Sequence, residues 1–162
     1  MPENRLNSPA RKPLYTAAER ARRDASGWTL VQGILAPVQF LVFIVSLALV
    51  LRYLATGEGY WAATASVVVK TAVLYLIMVT GAIWEKVVFG QYLLAPAFYW
   101  EDMFSFAVIA LHTAYILGLL SGALSPESLM FLALAAYGTY VINAAQFILK
   151  LRLARLDMAV AK

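Results

Sequence analysis

The sequence predicts an all-α integral membrane protein, a four-transmembrane-helix bundle with both termini cytoplasmic. Three observations predict it. First, 62% of the 162 residues are hydrophobic and 14% are charged, where a soluble domain carries about half apolar and about a quarter charged residues. The mean hydropathy is +0.74. Second, four apolar runs, at 28–54, 61–84, 102–121 and 128–151, each approach the ~20 residues that a bilayer core requires. Third, the basic residues are one-sided. Arg5, Arg11, Lys12, Arg20, Arg22 and Arg23 precede the first run, and Lys86 lies between the second and third. Lys150 lies at the end of the fourth, Arg152, Arg155 and Lys162 follow it, and the opposite side has Arg52 alone. The excess of Lys and Arg marks the cytoplasmic face.

The chain divides into a basic cytoplasmic N-terminal tail with a short amphipathic helix (1–27), a transmembrane domain (28–151) and a basic C-terminal tail (152–162). The formal net charge of +4 sits in the tails. It reads as a topology signal, and no nucleic-acid partner is expected. Cysteine is absent, which excludes disulfides and thiolate chemistry. No cleavable signal is expected, because the first apolar run is too long for a signal core and no small-residue cleavage site follows it.

Residues 1–15 are expected to be disordered or loosely surface-bound. Residues 16–26 read as a basic helix that Thr16 caps, with Glu19 three positions on as its capping-box partner. Arg20, Arg22 and Arg23 would lie among anionic headgroups and set orientation. Pro37 is expected to kink the first span. Residues 55–60 and 122–127 form short outer turns, with Pro126 in the first turn of the last helix. The stretch from 84 to 102 joins spans two and three. It opens with Trp84-Glu85-Lys86 and closes with Trp100-Glu101-Asp102, with Gly90 and Pro96 as breakers between.

At ~100° per residue each span has one polar side. Trp28, Gln32, Gln39 and Ser46 share a stripe on the first, and Lys70, Gly81, Trp84 and Glu85 a broader face on the second. Glu101, Ser105, His112 and Tyr115 align on the third, where Asp102 points away. Thr139, Asn143, Gln146 and Lys150 align on the fourth. Lipid cannot satisfy polar groups, so these sides should face one another. Carboxylates near lipid are candidates for function, because they are costly unless they line a protein interior or a wet cavity.

Structural readings stand beside the functional ones. Gln32, Gln39, Asn143 and Gln146 serve as interhelical hydrogen-bond glue. Lys70 snorkels or pairs with a buried partner. His112 is either structural or functional. Glu85 and Glu101 are either site carboxylates or wet junction residues pairing with Lys86. Asp102 caps the third helix. The junction Trp and Tyr residues form an aromatic belt, and Gly118-x-x-x-Gly122 is a weak packing signal. No phosphate loop, dinucleotide fingerprint or zinc-type His pair is present.

Four runs carry a family resemblance: Thr29-Leu-Val-Gln-Gly-Ile-Leu-Ala-Pro-Val-Gln-Phe40, Ile83-Trp-Glu-Lys-Val-Val-Phe-Gly90, Ala95-Pro-Ala-Phe-Tyr-Trp-Glu-Asp102 and Ala110-Leu-His-Thr-Ala-Tyr115. With Asn143-Ala-Ala-Gln146 they resemble the 3-vinyl (in older numbering 2-vinyl) bacteriochlorophyllide hydratases over nearly the whole chain. The resemblance implies a multi-pass lyase of the bacterial inner, photosynthetic or intracytoplasmic membrane. It would act in bacteriochlorophyll synthesis, adding water across the C3 vinyl group of a bacteriochlorophyllide or chlorophyllide to give a 1-hydroxyethyl group. Other enzymes of that pathway would be partners. No residue roles come with the resemblance, so the site is read from the residues.

Acid-catalysed hydration protonates the terminal vinyl carbon and leaves a cation on the inner one, which the macrocycle delocalises. It needs a general acid, a base to orient water, and a slot for a flat apolar ring. Desolvation favours the protonated form of a carboxylic acid, which can then donate. Glu101 or Glu85 is expected to be the acid, and the other carboxylate or His112 the base. Either replacement by Gln should nearly abolish turnover. His112 has a rival role as axial ligand of the substrate's magnesium, and no cofactor of the protein's own is expected. Trp84, Tyr99 and Trp100 would stack on the ring. Lys86 or Lys150 would pair with the propionate, and Asn143 and Gln146 line the substrate side. Two other classes remain open: a pigment-binding carrier without chemistry, and a proton or ion transporter using Lys70, Glu85, Glu101 and His112.

Overall fold

Four long apolar helices dominate the computed structural model, which describes residues 13–160 and the side chains of 13–156. The order is α1 (Ala17–Ala25), α2 (Gly27–Thr56), α3 (Tyr60–Phe89), α4 (Tyr99–Ser121) and α5 (Pro126–Val160). The last four are long and apolar enough to cross a membrane, and no strand occurs among the described residues. Helices α2 and α3 have 30 residues each. At 1.5 Å per residue that is about 45 Å, longer than a ~30 Å hydrocarbon core, so their ends reach the headgroup zone.

Each helix ends for a local reason. Thr16 accepts from the Glu19 amide while the Glu19 carboxylate accepts from the Thr16 amide, the expected capping box. Ser26 caps α2. The turn between α2 and α3 needs left-handed backbone at Gly57 (φ 74°) and Gly59 (φ 83°), which costs least without a Cβ. The helix α2 runs through Pro37 unbroken.

Helix α2 packs most extensively along α3, and α4 along α5; α2 and α5 join the two hairpins, and α3 and α4 touch over a smaller area. Lipid gives helices no hydrophobic reason to associate, so packing and interhelical hydrogen bonds hold them together. Trp84 Nε1 donates to Thr29 Oγ1 at 2.9 Å, and Gln32 Nε2 to Thr80 Oγ1 at 2.7 Å. The hydroxyls of Ser46 and Ser66 are 2.7 Å apart, and those of Ser46 and Tyr137 are 2.5 Å apart. Phe43, Val67, Leu74, Val108, Met130 and Tyr137 belong to the central core. Large apolar side chains point outward on all four spans, among them Leu41, Leu76, Leu117 and Ile148.

The amphipathic helix does not simply float among headgroups. Arg22 Nε donates to the Val88 carbonyl at 2.8 Å, and Tyr15 is buried against Phe89 and Phe98. Residues 1–12 of the expected loose N-terminal segment lie outside the described residues, but Tyr15 corrects that expectation. The polar stripes pair as expected, and the spacing on α4 from Glu101 through Ser105 and His112 to Tyr115 is a buried line. Of the Gly118 and Gly122 pair only Gly118 is closely packed, with Leu124 and, on α5, Leu129 within 3.4 Å of where its Cβ would stand. A Cβ at Gly118 would stand 2.7 Å from Leu124 Cδ1, while Gly122 ends α4 at φ 64°.

Candidate active site

Three carboxylates gather where α3 ends and α4 begins, and two different cradles hold them. Glu85 lies in the last turns of α3, and Glu101 and Asp102 in the first turn of α4, where the helix dipole favours negative charge. All three are buried. Successive residues on a helix point about 100° apart. That angle turns Asp102 toward α3 and Glu101 toward α5.

The first cradle is the connection 90–98. Gly90 (φ 88°) ends α3, and the chain turns back on Leu94, whose φ of 60° is left-handed. The Leu94 amide donates to Asp102 Oδ2 at 2.6 Å, and the Ala95 amide to Glu85 Oε2 at 3.3 Å. Successive amides of one loop therefore hold Asp102 and Glu85, and the two buried carboxyl groups meet at that loop. This corrects the reading of Asp102 as a helix cap. The helix starts at Tyr99, and Asp102 instead holds the connecting loop through the Leu94 amide.

The second cradle belongs to α5. Lys150 Nζ stands 2.5 Å from Glu101 Oε2 and also donates to the Ala97 carbonyl. Asn143 Nδ2 donates to the Glu101 carbonyl at 2.8 Å, and Asn143 Oδ1 accepts from Ser105 Oγ at 3.2 Å. Glu101 is therefore an ion-paired carboxylate, and Lys150, expected at the substrate's acid, has an internal partner. The alternative pairing of Glu85 or Glu101 with Lys86 does not occur; Lys86 donates to the Gly90 carbonyl at 2.7 Å.

The remaining candidates divide by exposure. Trp84 is half-buried, its ring edge-on to Phe89 and Phe98, and its indole N–H is used on Thr29. Tyr99 and Trp100 are exposed and lie edge to face, 5.5 Å between centroids. Lys86 and Tyr92 are also exposed, with Lys86 Nζ 5.4 Å from the Tyr92 ring centroid. Gln146 is half-buried, and its Oε1 has no partner among the described residues. His112 is not brought to the carboxylates. It lies eleven residues further along α4 than Glu101, about 16 Å at 1.5 Å per residue. It is fully buried, with the Tyr137 ring 5.9 Å away, so a macrocycle could reach its ring only if α4 and α5 parted. Among the described residues no group of three or more His, Asp or Glu side chains is placed to hold a metal ion.

Sequence reasoning missed Asp102 as the partner of Glu85. The signal was present: the helical wheel that separated Asp102 from Glu101 also aimed it at the neighbouring helix. It missed Tyr15 as well, since a single aromatic residue ahead of a basic helix has no periodicity.

A family model described as 2-vinyl bacteriochlorophyllide hydratase (BCHF) matches residues 15–153. A protein named 2-vinyl bacteriochlorophyllide hydratase from Cereibacter sphaeroides is 72% identical over 150 residues, 92% of this chain and 92% of that protein. One of the same name from Rhodobacter capsulatus is 68% identical over 157 residues, 96% of this chain and 91% of that protein. No solved structure matches the chain.

Proposed function

The chain belongs to the 2-vinyl bacteriochlorophyllide hydratase family, and on that premise we propose that it adds water across the vinyl group of a bacteriochlorophyllide, using the Glu85–Asp102 pair. The enzyme is a hydro-lyase of bacteriochlorophyll synthesis. The observation that carries the assignment of the pair is that successive loop amides hold two buried carboxyls together; two such charges disfavour each other, so one carboxyl holds a proton.

The protonated member gives its proton to the terminal vinyl carbon. The cation left on the inner carbon is delocalised into the macrocycle and is favoured by the carboxylate charge that remains. The oxygen of water bonds to the inner carbon, and the proton that water loses returns to the pair. Atoms and charge balance, and the pair is restored. Glu101 takes no part in the transfer, because Lys150 occupies its carboxylate. It fixes the first turn of α4 and so positions Asp102.

Exposed Tyr99 and Trp100 take the flat face of the ring, and Lys86 takes its propionate. The ring edge enters between α3 and α4, a seam packed more sparsely than α2 on α3 or α4 on α5. The magnesium belongs to the substrate, and the reaction needs no further cofactor. The positive-inside distribution sets both termini and the 90–98 connection in the cytoplasm of the inner, photosynthetic membrane. There the enzyme meets the neighbouring enzymes of its pathway.

Single replacements test the pair. Glu85→Gln should lower kcat by roughly 10²-fold or more, with Asp102→Asn comparable and Glu101→Gln milder. A Glu85→Gln variant that hydrates at the wild-type rate contradicts the assignment.

A further inference from the structure

A second set of polar side chains is buried deeper in the bundle, and the chemistry at Glu85 and Asp102 makes no use of it. Lys70 and His112 are both 0% exposed. His112 Nδ1 stands 2.8 Å from the Val108 carbonyl oxygen. A carbonyl only accepts, so Nδ1 carries the hydrogen, and in the neutral ring Nε2 is left as a lone pair. Lys70 Nζ lies over the face of Tyr140, 3.8 Å from its centroid. Tyr140 is one turn along α5 from Tyr137, whose ring is 5.9 Å from that of His112. On α2, Gln39 is buried one turn from Phe43, whose ring packs against Tyr137 and Tyr140.

Lys70 Nζ, His112 Nε2 and both amide atoms of Gln39 have no hydrogen-bond partner among the described residues. Each such group costs about 1–3 kcal/mol if left unsatisfied, and lipid offers no substitute. The set mixes donors with acceptors. An anion would meet the imidazole lone pair and the amide oxygen, and a cation or metal ion would meet the ammonium. Water donates and accepts at once, and a buried water typically makes about three hydrogen bonds.

We propose that Gln39, Lys70 and His112 form an internal water-binding site, and that it holds the co-substrate of the hydration within the bundle. The role of that water rests on the hydratase reading; its binding does not. Ser105 and Asn143, hydrogen-bonded to each other, lie between the site and the carboxylates, with Val108 the one buried apolar residue of α4 between Ser105 and His112. Water stored there reaches the vinyl group without crossing the lipid-facing surface.

His112 is the one histidine of the chain, so isotope-labelled histidine gives a single imidazole signal. Solid-state NMR of the wild-type protein in bilayers, with polarisation transferred from water, reads its contact with water directly. The expected spectrum shows a protonated Nδ1, an unprotonated Nε2 and rapid build-up from water without substrate. In Lys70→Met and Gln39→Leu that build-up should fall several-fold. In the same variants kcat should fall about tenfold, a barrier change of ~1.4 kcal/mol, with KM for the pigment unchanged. A wild-type ring that receives no polarisation from water overturns the site. Lost water contact with unchanged kcat overturns its role in supply. Water contact in a wild-type protein that leaves the pigment unhydrated overturns the hydratase reading and the supply role with it, and leaves the water site standing.

Discussion

Glu101 and Lys150 show what one charged residue demands near lipid. The Glu101 side chain is 7% exposed and that of Lys150 is 27% exposed. Removing one partner of a buried pair leaves an uncompensated charge, whereas replacing both by apolar groups is often neutral. Lys150→Met should therefore destabilise the bundle by on the order of 3 kcal/mol, and Lys150→Met with Glu101→Leu should regain most of that loss. Denaturant unfolding in mixed micelles measures both, and equal losses would contradict the pairing. The sequence put the two residues on inward stripes of neighbouring helices, but a helical wheel gives direction and not reach. The four-carbon stem of Lys150 decided the partner. Leu94 was illegible for a different reason. Left-handed backbone costs an L-residue about 1–2 kcal/mol and is normally announced by Gly or Asn. Here two carboxylate–amide hydrogen bonds at Leu94 and Ala95 hold it in place.

Helix α1 separates what is local from what is not. Its capping box was legible because both partners are three residues apart. Its docking was not, since Arg22 and Val88 are 66 residues apart. The docked helix is fastened by Tyr15, which stacks on Phe89 with 5.8 Å between centroids. Burial pushes the Tyr15 hydroxyl above its usual value of 10, and the Arg23 guanidinium opposes that shift. The neutral phenol is thus the docked form. Its contribution is fully present below the ordinary value and is lost as pH rises through the raised one. Tyr15→Ala removes an aromatic anchor worth about 3 kcal/mol in a packed core. The amides of α1 should then exchange with solvent faster, while those of α2–α5 keep their protection. Unchanged exchange in α1 would show that Tyr15 does not hold it.

The whole bundle was the most legible level. Each span is a long apolar run with one polar side, and in lipid such a sequence has few options but to bury that side against its neighbours. The ends of α4 and α5 were less legible. Helix α4 begins three residues before the expected 102, and α5 continues to Val160, because the polar ends of both runs stay helical in water. Orientation can be tested on a chain without cysteine. Cysteine at exposed Glu58 should react with an impermeant thiol reagent added outside spheroplasts, and cysteine at exposed Gln91 only after permeabilisation. The reverse pattern would invert the topology. The central claim concerns the isolated chain and its substrate. Purified protein should be incubated with 2-vinyl bacteriochlorophyllide in deuterated water enriched in heavy oxygen, and the product read by mass and NMR. Hydration by this chain alone predicts one heavy oxygen on the inner carbon and one deuterium on the terminal methyl. Pigment that binds and is recovered unchanged, or product oxygen that does not come from water, would contradict it.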